Sequence, residues 1–268
     1  MNYNLYNRFK YLKKYLSKSG EYIKNERAGI LKGTQQKDDG SPVTSADIWG
    51  NKFWERVIKK EYPNDVFIGE ESTSHDYPEG SKFVWYVDPI DGTKEYISGH
   101  GPYYTLIGLS IEGKPALGIV HEPETGIIIY GSTDQKPSLY NEDIDEPREL
   151  NGIREWKSSN RLMMRGIDAK KRNRLKNHFD IKREKYIDIT HNQLAPLFNI
   201  SSGFVSNRAT SYWDLCAPAA IMSAAGFTTE FQNDDQTVLL NNGSHMADRF
   251  YILPGDTPEE VKKAVMKW

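Results

Sequence analysis

Between Lys82 and Gly131 four apolar runs follow one another closely: KFVWYVD, YYTLIGLSI, PALGIVH and TGIIIYG. Each is of strand length and rich in β-branched and aromatic side chains, which suit a pleated surface better than a helix. The last three are separated only by EGK and EPE. Connections that short leave no room for a crossover helix, so these runs fold back on one another as an antiparallel meander. VFIGEES comes before them and reads as a short strand ending at Gly69. This block obliges the rest of the chain to cover a sheet.

The covering elements are legible on either side. MNYNLYNRFKYLKKYLSKSG places Leu5, Phe9, Leu12 and Leu16 at helical spacing among lysines and Tyr6, Tyr11 and Tyr15, which predicts a surface helix packed on one face. It has neither a continuous apolar core nor a small-residue cleavage site, so it does not read as a signal peptide, and no stretch approaches a transmembrane span. Residues 27 to 43 read as a loop. Thr44, Ser45 and Asp47 then open a helix whose stripe is Ile48, Trp49, Phe53, Trp54, Val57 and Ile58.

After the meander, residues 131 to 160 are polar and turn-rich and mark a lobe boundary. Beyond it come RLMMRGI as a strand, a basic helix near 168 to 178, and EKYIDIT and GFVSN as strands. An Ala-rich helix over Leu215 to Ala225 follows, with Pro218 in its first turn and Gly226 as its cap. FTTEF, the strand FYILP and a last helix from Thr257 complete the chain. Helices and strands mixed in this way predict a layered α/β or α+β sandwich. It divides into an N-terminal lobe over 1–150 and a C-terminal lobe over 151–268, which share a cleft.

With a net charge of −2 and 27% charged residues, the chain has no basic excess to attract a nucleic acid polymer or an anionic membrane. A negatively charged ligand must therefore be held by a local arrangement. The single cysteine, Cys216, excludes an intrachain disulfide or a cysteine metal cage and fits a reducing cytoplasm.

Four acidic segments stand where strands end or helices begin: Asp47 in TSAD, Glu70 and Glu71 in GEES, Asp88 and Asp91 in DPIDGT, and Asp214 in YWDL. Separately, Asp47 is an acid favoured by a helix dipole, Asp214 a helix cap and DPIDGT a turn. Together they converge on the edge of a layered α/β sheet, where close carboxylates repel unless a cation intervenes. Mg²⁺ accepts hard oxygen ligands of this kind, usually alongside a substrate phosphate. Pro89 biases Asp88 toward an extended conformation and bends the chain, so that both carboxylates and the Ile90 carbonyl can face one point. Gly92 permits a tight turn, and the free amides of the helix that Thr93 begins favour an anion such as phosphate.

IGEES, then WYVDPIDGT, then YWDLCAPAAIMSAAG resemble the motifs of the inositol monophosphatase superfamily of Mg²⁺-dependent, lithium-sensitive phosphatases. The resemblance runs from about residue 37 to 253. It implies a five-layer αβαβα sandwich like that of fructose-1,6-bisphosphatase, often as a homodimer, acting on a small phosphate ester. It further implies two to three Mg²⁺ ions, with Mn²⁺ as a substitute. Glu70, Asp88 and the Ile90 carbonyl would hold the first; Asp88, Asp91 and Asp214 the second; and a third, labile ion would lie near Glu70. Asp47 and Thr93 would activate the attacking water, and the Gly92 and Thr93 amides would hold the phosphate.

The substrate branch divides. KDDGSPVTSAD and DGTKEYI look like the 3'(2'),5'-bisphosphate nucleotidase branch through Lys37, Ser41, Pro42, Thr44, Lys94 and Glu95, whereas ISG and TLIGL are similar to histidinol-phosphatase-like enzymes. Ser206 stands where the nucleotidase branch has an arginine, with Arg208 close by. Asn207 stands where inositol monophosphatases have a glutamate. His191, Asn192, Asn207 and Arg208 are the leaving-group candidates, Arg208 because a guanidinium suits a second phosphate or a carboxylate. A sugar phosphatase and a metal-binding regulatory protein without turnover remain alternatives.

Overall fold

The computed structural model describes residues 3–27, 35–36, 42–141, 144–151, 155–156, 161–176, 191–234, 236–243 and 245–266. In the first half these form α1 (Leu5–Arg27), a small hairpin of β1 (Gln35–Gln36) and β2 (Pro42–Val43), α2 (Ser45–Glu61), β3 (Val66–Gly69), β4 (Phe83–Asp91) and α3 (Thr93–Ser98). The meander follows as β5 (Tyr104–Ile111), β6 (Lys114–Glu122), β7 (Ile127–Ser132), β8 (Gln135–Asn141) and β9 (Ile144–Glu149). β3 to β9 lie in sequence order in one seven-stranded sheet, with β3 parallel to β4 and every later pair antiparallel.

The second half holds β10 (Leu162–Arg165), α4 (Ala169–Leu175), a 3₁₀ helix over Asn192–Phe198, β11 (Gly203–Ser206), β12 (Thr210–Ser211) and α5 (Tyr212–Ala224). It ends with β13 (Phe227–Asn233), β14 (Gln236–Thr237), β15 (Met246–Ala247), β16 (Arg249–Pro254) and α6 (Glu259–Met266). A second sheet runs in the order β10-β11-β16-β13-β14. α1 and α2 cover the outer face of the large sheet, α5 lies between the two sheets, and α4 and α6 pack on the small sheet's side. The result is the five-layer αβαβα sandwich.

Strand alternation divides the core. In β4, Trp85 and Val87 pack with Phe9, Leu12, Leu16, Trp54 and Ile58 of the outer helices, while Val84 and Tyr86 face α5 with Leu215 and Ile221. Gly108, Gly118 and Gly131 lie in register across β5, β6 and β7. A Cβ on Gly118 would stand 2.0 Å from the Ala217 carbonyl oxygen, and one on Gly108 would stand 2.6 Å from the Ala217 amide nitrogen. This groove lets the Ala-rich α5 sink onto the sheet, which brings Asp214 to the level of the β4 acids.

Two expectations need correction. The polar stretch 131–160 is not a turn-rich boundary throughout, because β8 and β9 extend the large sheet to Glu149; the edge position of β9 and the partial exposure of β8 beside it account for the polar composition. α5 begins at Tyr212, three residues earlier than Leu215, so Asp214 lies in its first turn and does not cap it, and Pro218 is interior. Most of the loop 27–43 and the whole of EKYIDIT lie outside the described residues. Among the described residues no helix is long and apolar enough to cross a membrane.

Candidate metal centre

The parallel pairing of β3 and β4 sets their C-terminal ends side by side, and the Glu70 amide continues it by donating to the Val87 carbonyl at 3.0 Å. Gly69 has to be glycine here, since a Cβ would meet Asn51 Oδ1 at 1.8 Å. Asn51 Oδ1 in turn accepts from the Glu71 amide at 3.3 Å. His75 Nε2 lies 3.0 Å and 3.2 Å from the Gly69 and Glu70 carbonyl oxygens and secures the same loop from the other side.

A regular strand would send residues three apart to opposite faces. The β4–β5 register shifts between Asp88 and Asp91, and this irregularity turns both carboxylates to one side. The Ile90 amide donates to Asp88 Oδ1 at 2.9 Å, and Thr105 Oγ1 donates to the Pro89 carbonyl at 2.8 Å. Asp214, from α5, completes a cluster in which one oxygen each of Asp88, Asp91 and Asp214 lies within 4.8 Å of the others.

Burial, and then the charges of Glu70, Asp91 and Asp214, hold the Asp88 carboxyl well above the ordinary carboxylate range. Asp214 is raised in the same way by burial, Asp91 and Glu70, against a lowering influence of Arg165. A close-set group of hard oxygen donors whose charges repel, with Asp88 buried and Asp91 and Asp214 half-buried, fits a divalent cation such as Mg²⁺ or Mn²⁺. Glu70 shares a carboxyl hydrogen bond with Asp88, which makes it the fourth acid of the set.

Gly92 has φ 91° and caps α3; a Cβ there would stand 3.1 Å from the Pro102 carbonyl oxygen. Thr93 Oγ1 donates to the Ile90 carbonyl at 3.1 Å, which leaves that oxygen a second lone pair. Asp47 is the third residue of α2. Its Oδ2 accepts from the Thr44 amide at 2.7 Å and the Thr44 hydroxyl at 2.5 Å. Among the described residues, Asp47 and Thr93 thus each hydrogen-bond to a neighbour in their own segment and not to each other. Burial lifts the Asp47 carboxyl to about 6, opposed by the Thr44 hydrogen bonds and assisted by Glu70 and Glu71.

Of the leaving-group candidates, His191 reaches the cluster directly, with Nε2 3.0 Å from Asp91 Oδ2. Asn192 opens the 3₁₀ helix. Asn207 is half-buried, its amide donating to the Arg165 carbonyl at 3.0 Å. Arg208 is exposed and lies over Gly166, where a Cβ would meet its Cγ at 2.3 Å. Lys37 lies outside the described residues.

Arg165, Gln193 and His75 carry no linear signal, and each reaches the centre only through tertiary pairing. Pro218 has no N–H, so the Asp214 carbonyl four residues before it lacks its helical donor. Gln193 Nε2 supplies one at 3.1 Å.

The model for the inositol monophosphatase family matches residues 8–261. A histidinol-phosphatase of Chlorobaculum parvum is 38% identical over 90 residues, 34% of this chain and 34% of that protein. The 3'(2'),5'-bisphosphate nucleotidase CysQ of Salmonella typhimurium is 34% identical over 98 residues, 36% of this chain and 40% of that protein. These matches span well under half of the curated relatives' length. A crystal structure described as an IMPase/NADP phosphatase complexed with Mg²⁺ and phosphate superposes with a TM-score of 0.74 at 14% identity, covering 97% of this chain and 95% of that one.

Proposed function

Since the chain belongs to the inositol monophosphatase family, we propose that it is a divalent-cation-dependent phosphomonoesterase acting on a small metabolite, most specifically a 3'(2'),5'-bisphosphate nucleotidase. The observation that carries the reading is the convergence of the buried Asp88 with the half-buried Asp91 and Asp214, with Glu70 beside Asp88. Glu70, Asp88 and the Ile90 carbonyl would hold one Mg²⁺, and Asp88, Asp91 and Asp214 a second. Bound there, the ions supply Lewis-acid neutralisation of the phosphate and leaving oxygens.

The chain's own groups have separate tasks. Asp47, with a carboxyl that titrates near 6, takes a proton from the attacking water. The Thr93 hydroxyl orients that water, and the Gly92 and Thr93 amides hold phosphate oxygens. On the leaving-group side, Arg208 and Arg165 offer guanidinium groups to a second phosphate, and the amide of Asn207, next to Arg208 in the chain, donates to the Arg165 carbonyl. Lys37, through its place in the SPVT loop, would serve the same anion.

A histidinol-phosphatase-like activity is the second reading, favoured by ISG and TLIGL and by the Chlorobaculum parvum relative. Phosphate release from adenosine 3',5'-bisphosphate, histidinol phosphate, inositol 1-phosphate and fructose 1,6-bisphosphate separates these readings. Fastest turnover of the nucleotide supports the first, and silence on all four substrates favours a metal-binding protein without turnover.

A further inference from the structure

His191 and Gln193 stand two residues apart at the start of the 3₁₀ helix, and each secures a different acid of the cluster. Because His191 Nε2 meets a carboxylate oxygen of Asp91 at 3.0 Å, that nitrogen carries the proton. Among the described residues His191 Nδ1 is buried without a partner, and the ring meets Tyr104 edge-on, at a centroid separation of 5.6 Å and an interplanar angle of 85°. With the residue 8% exposed and its N–H already given to Asp91, His191 has no donor left for a leaving group. Gln193, 4% exposed, gives its amide to the Asp214 carbonyl that Pro218 leaves without a helical donor.

We infer that His191 and Gln193 are positioning residues, a brace that holds Asp91 and Asp214 in place for a cation. The inference rests on the proposal that these acids bind a divalent metal. Carboxylates whose oxygens lie within 4.8 Å of one another repel, and a side chain free to rotate would turn away. A buried imidazole N–H on Asp91 Oδ2 fixes the carboxylate plane and leaves its remaining lone pairs for a cation. Gln193 does the corresponding work on the backbone, anchoring the first turn of α5 from which Asp214 projects.

The test is Mn²⁺ affinity, read from the EPR signal of the free ion, for the wild type and for His191→Leu, His191→Gln and Gln193→Met, with urea stability in EDTA measured in parallel. Loss of about tenfold or more in affinity is expected for His191→Leu and Gln193→Met, with His191→Gln restoring most of it because its amide N–H replaces the imidazole donor. Unchanged affinity in His191→Leu, whatever its stability, overturns the brace. So does tighter binding, which would mean that the imidazole competes with the metal for Asp91. Wild-type protein that binds no Mn²⁺ overturns the metal reading and the brace together, whereas normal wild-type binding with indifferent variants overturns the brace alone. Should His191→Leu fail to fold, the histidine ring nitrogens of the wild type decide by NMR. An Nε2–H tautomer that persists on saturation with Mg²⁺ supports the brace, and a ring that loses that proton or gains a second overturns it.

Discussion

Replacing Asp47 with asparagine should make the metal-free protein more stable and the enzyme nearly inactive. Asp47 is 1% exposed, and both of its hydrogen bonds from Thr44 fall on the single oxygen Oδ2. An asparagine carbonyl can take that place, so the helix cap survives and the charge is removed. Burial raises the carboxyl from 3.8 to about 6. A carboxyl raised on folding binds its proton more tightly in the native state, so stability is lost as pH rises from the unfolded value to the folded one and is constant above it. At pH 8 the ionised Asp47 costs about 3 kcal/mol, and at pH 4.5 about 1 kcal/mol. The stability difference between Asp47→Asn and wild type should therefore grow by about 2 kcal/mol from pH 4.5 to 8, as measured by urea unfolding in EDTA. Taking the difference cancels the other acids common to both proteins. Turnover should fall by about a hundredfold or more if Asp47 is the base. A stability difference that is flat with pH, or that grows toward acid, refutes the reasoning.

Asp88 and Asp214 are raised by the same physics, so metal-free protein should lose stability as pH rises toward neutrality, and Mg²⁺ should restore it. At one hundred times its dissociation constant the ion adds about 2.7 kcal/mol, read as a rise in midpoint of unfolding with Mg²⁺ concentration. Gly92→Ala forces a side chain onto φ 91° against the Pro102 carbonyl, and should cost about 1–3 kcal/mol in stability and reduce turnover by displacing the amides proposed to hold phosphate. Arg208→Ala should raise KM for adenosine 3',5'-bisphosphate by about tenfold or more while leaving a monophosphate substrate little affected, as steady-state kinetics would read.

The sheet and its acids were legible because both are local in sequence. Three apolar runs with three-residue connections could only turn back on one another, and DPIDGT carries its own bend at Pro89 and turn at Gly92. The capping signal at Thr44 and Asp47 was equally local and is present in full. β9 at the sheet's edge and β8 beside it were missed because an edge tolerates polar side chains and Pro147, which mimic a loop. The start of α5 was misplaced because Pro218 suggested a first turn, whereas Gln193 compensates for it in mid-helix. Nothing in the spacing of THNQLAP shows that His191 would meet Asp91, one hundred residues before it at the end of β4, or that Gln193 would meet Asp214 in α5. The row of glycines 108, 118 and 131 gains its meaning only from register.

Mg²⁺-dependent phosphate release by the wild type and by Asp91→Asn, with adenosine 3',5'-bisphosphate as substrate, tests the central claim most directly. Wild-type turnover should rise saturably with Mg²⁺ and vanish in EDTA, and Asp91→Asn should lose about a hundredfold or more of it. Turnover that persists in EDTA, or near-normal turnover by Asp91→Asn, would contradict the account.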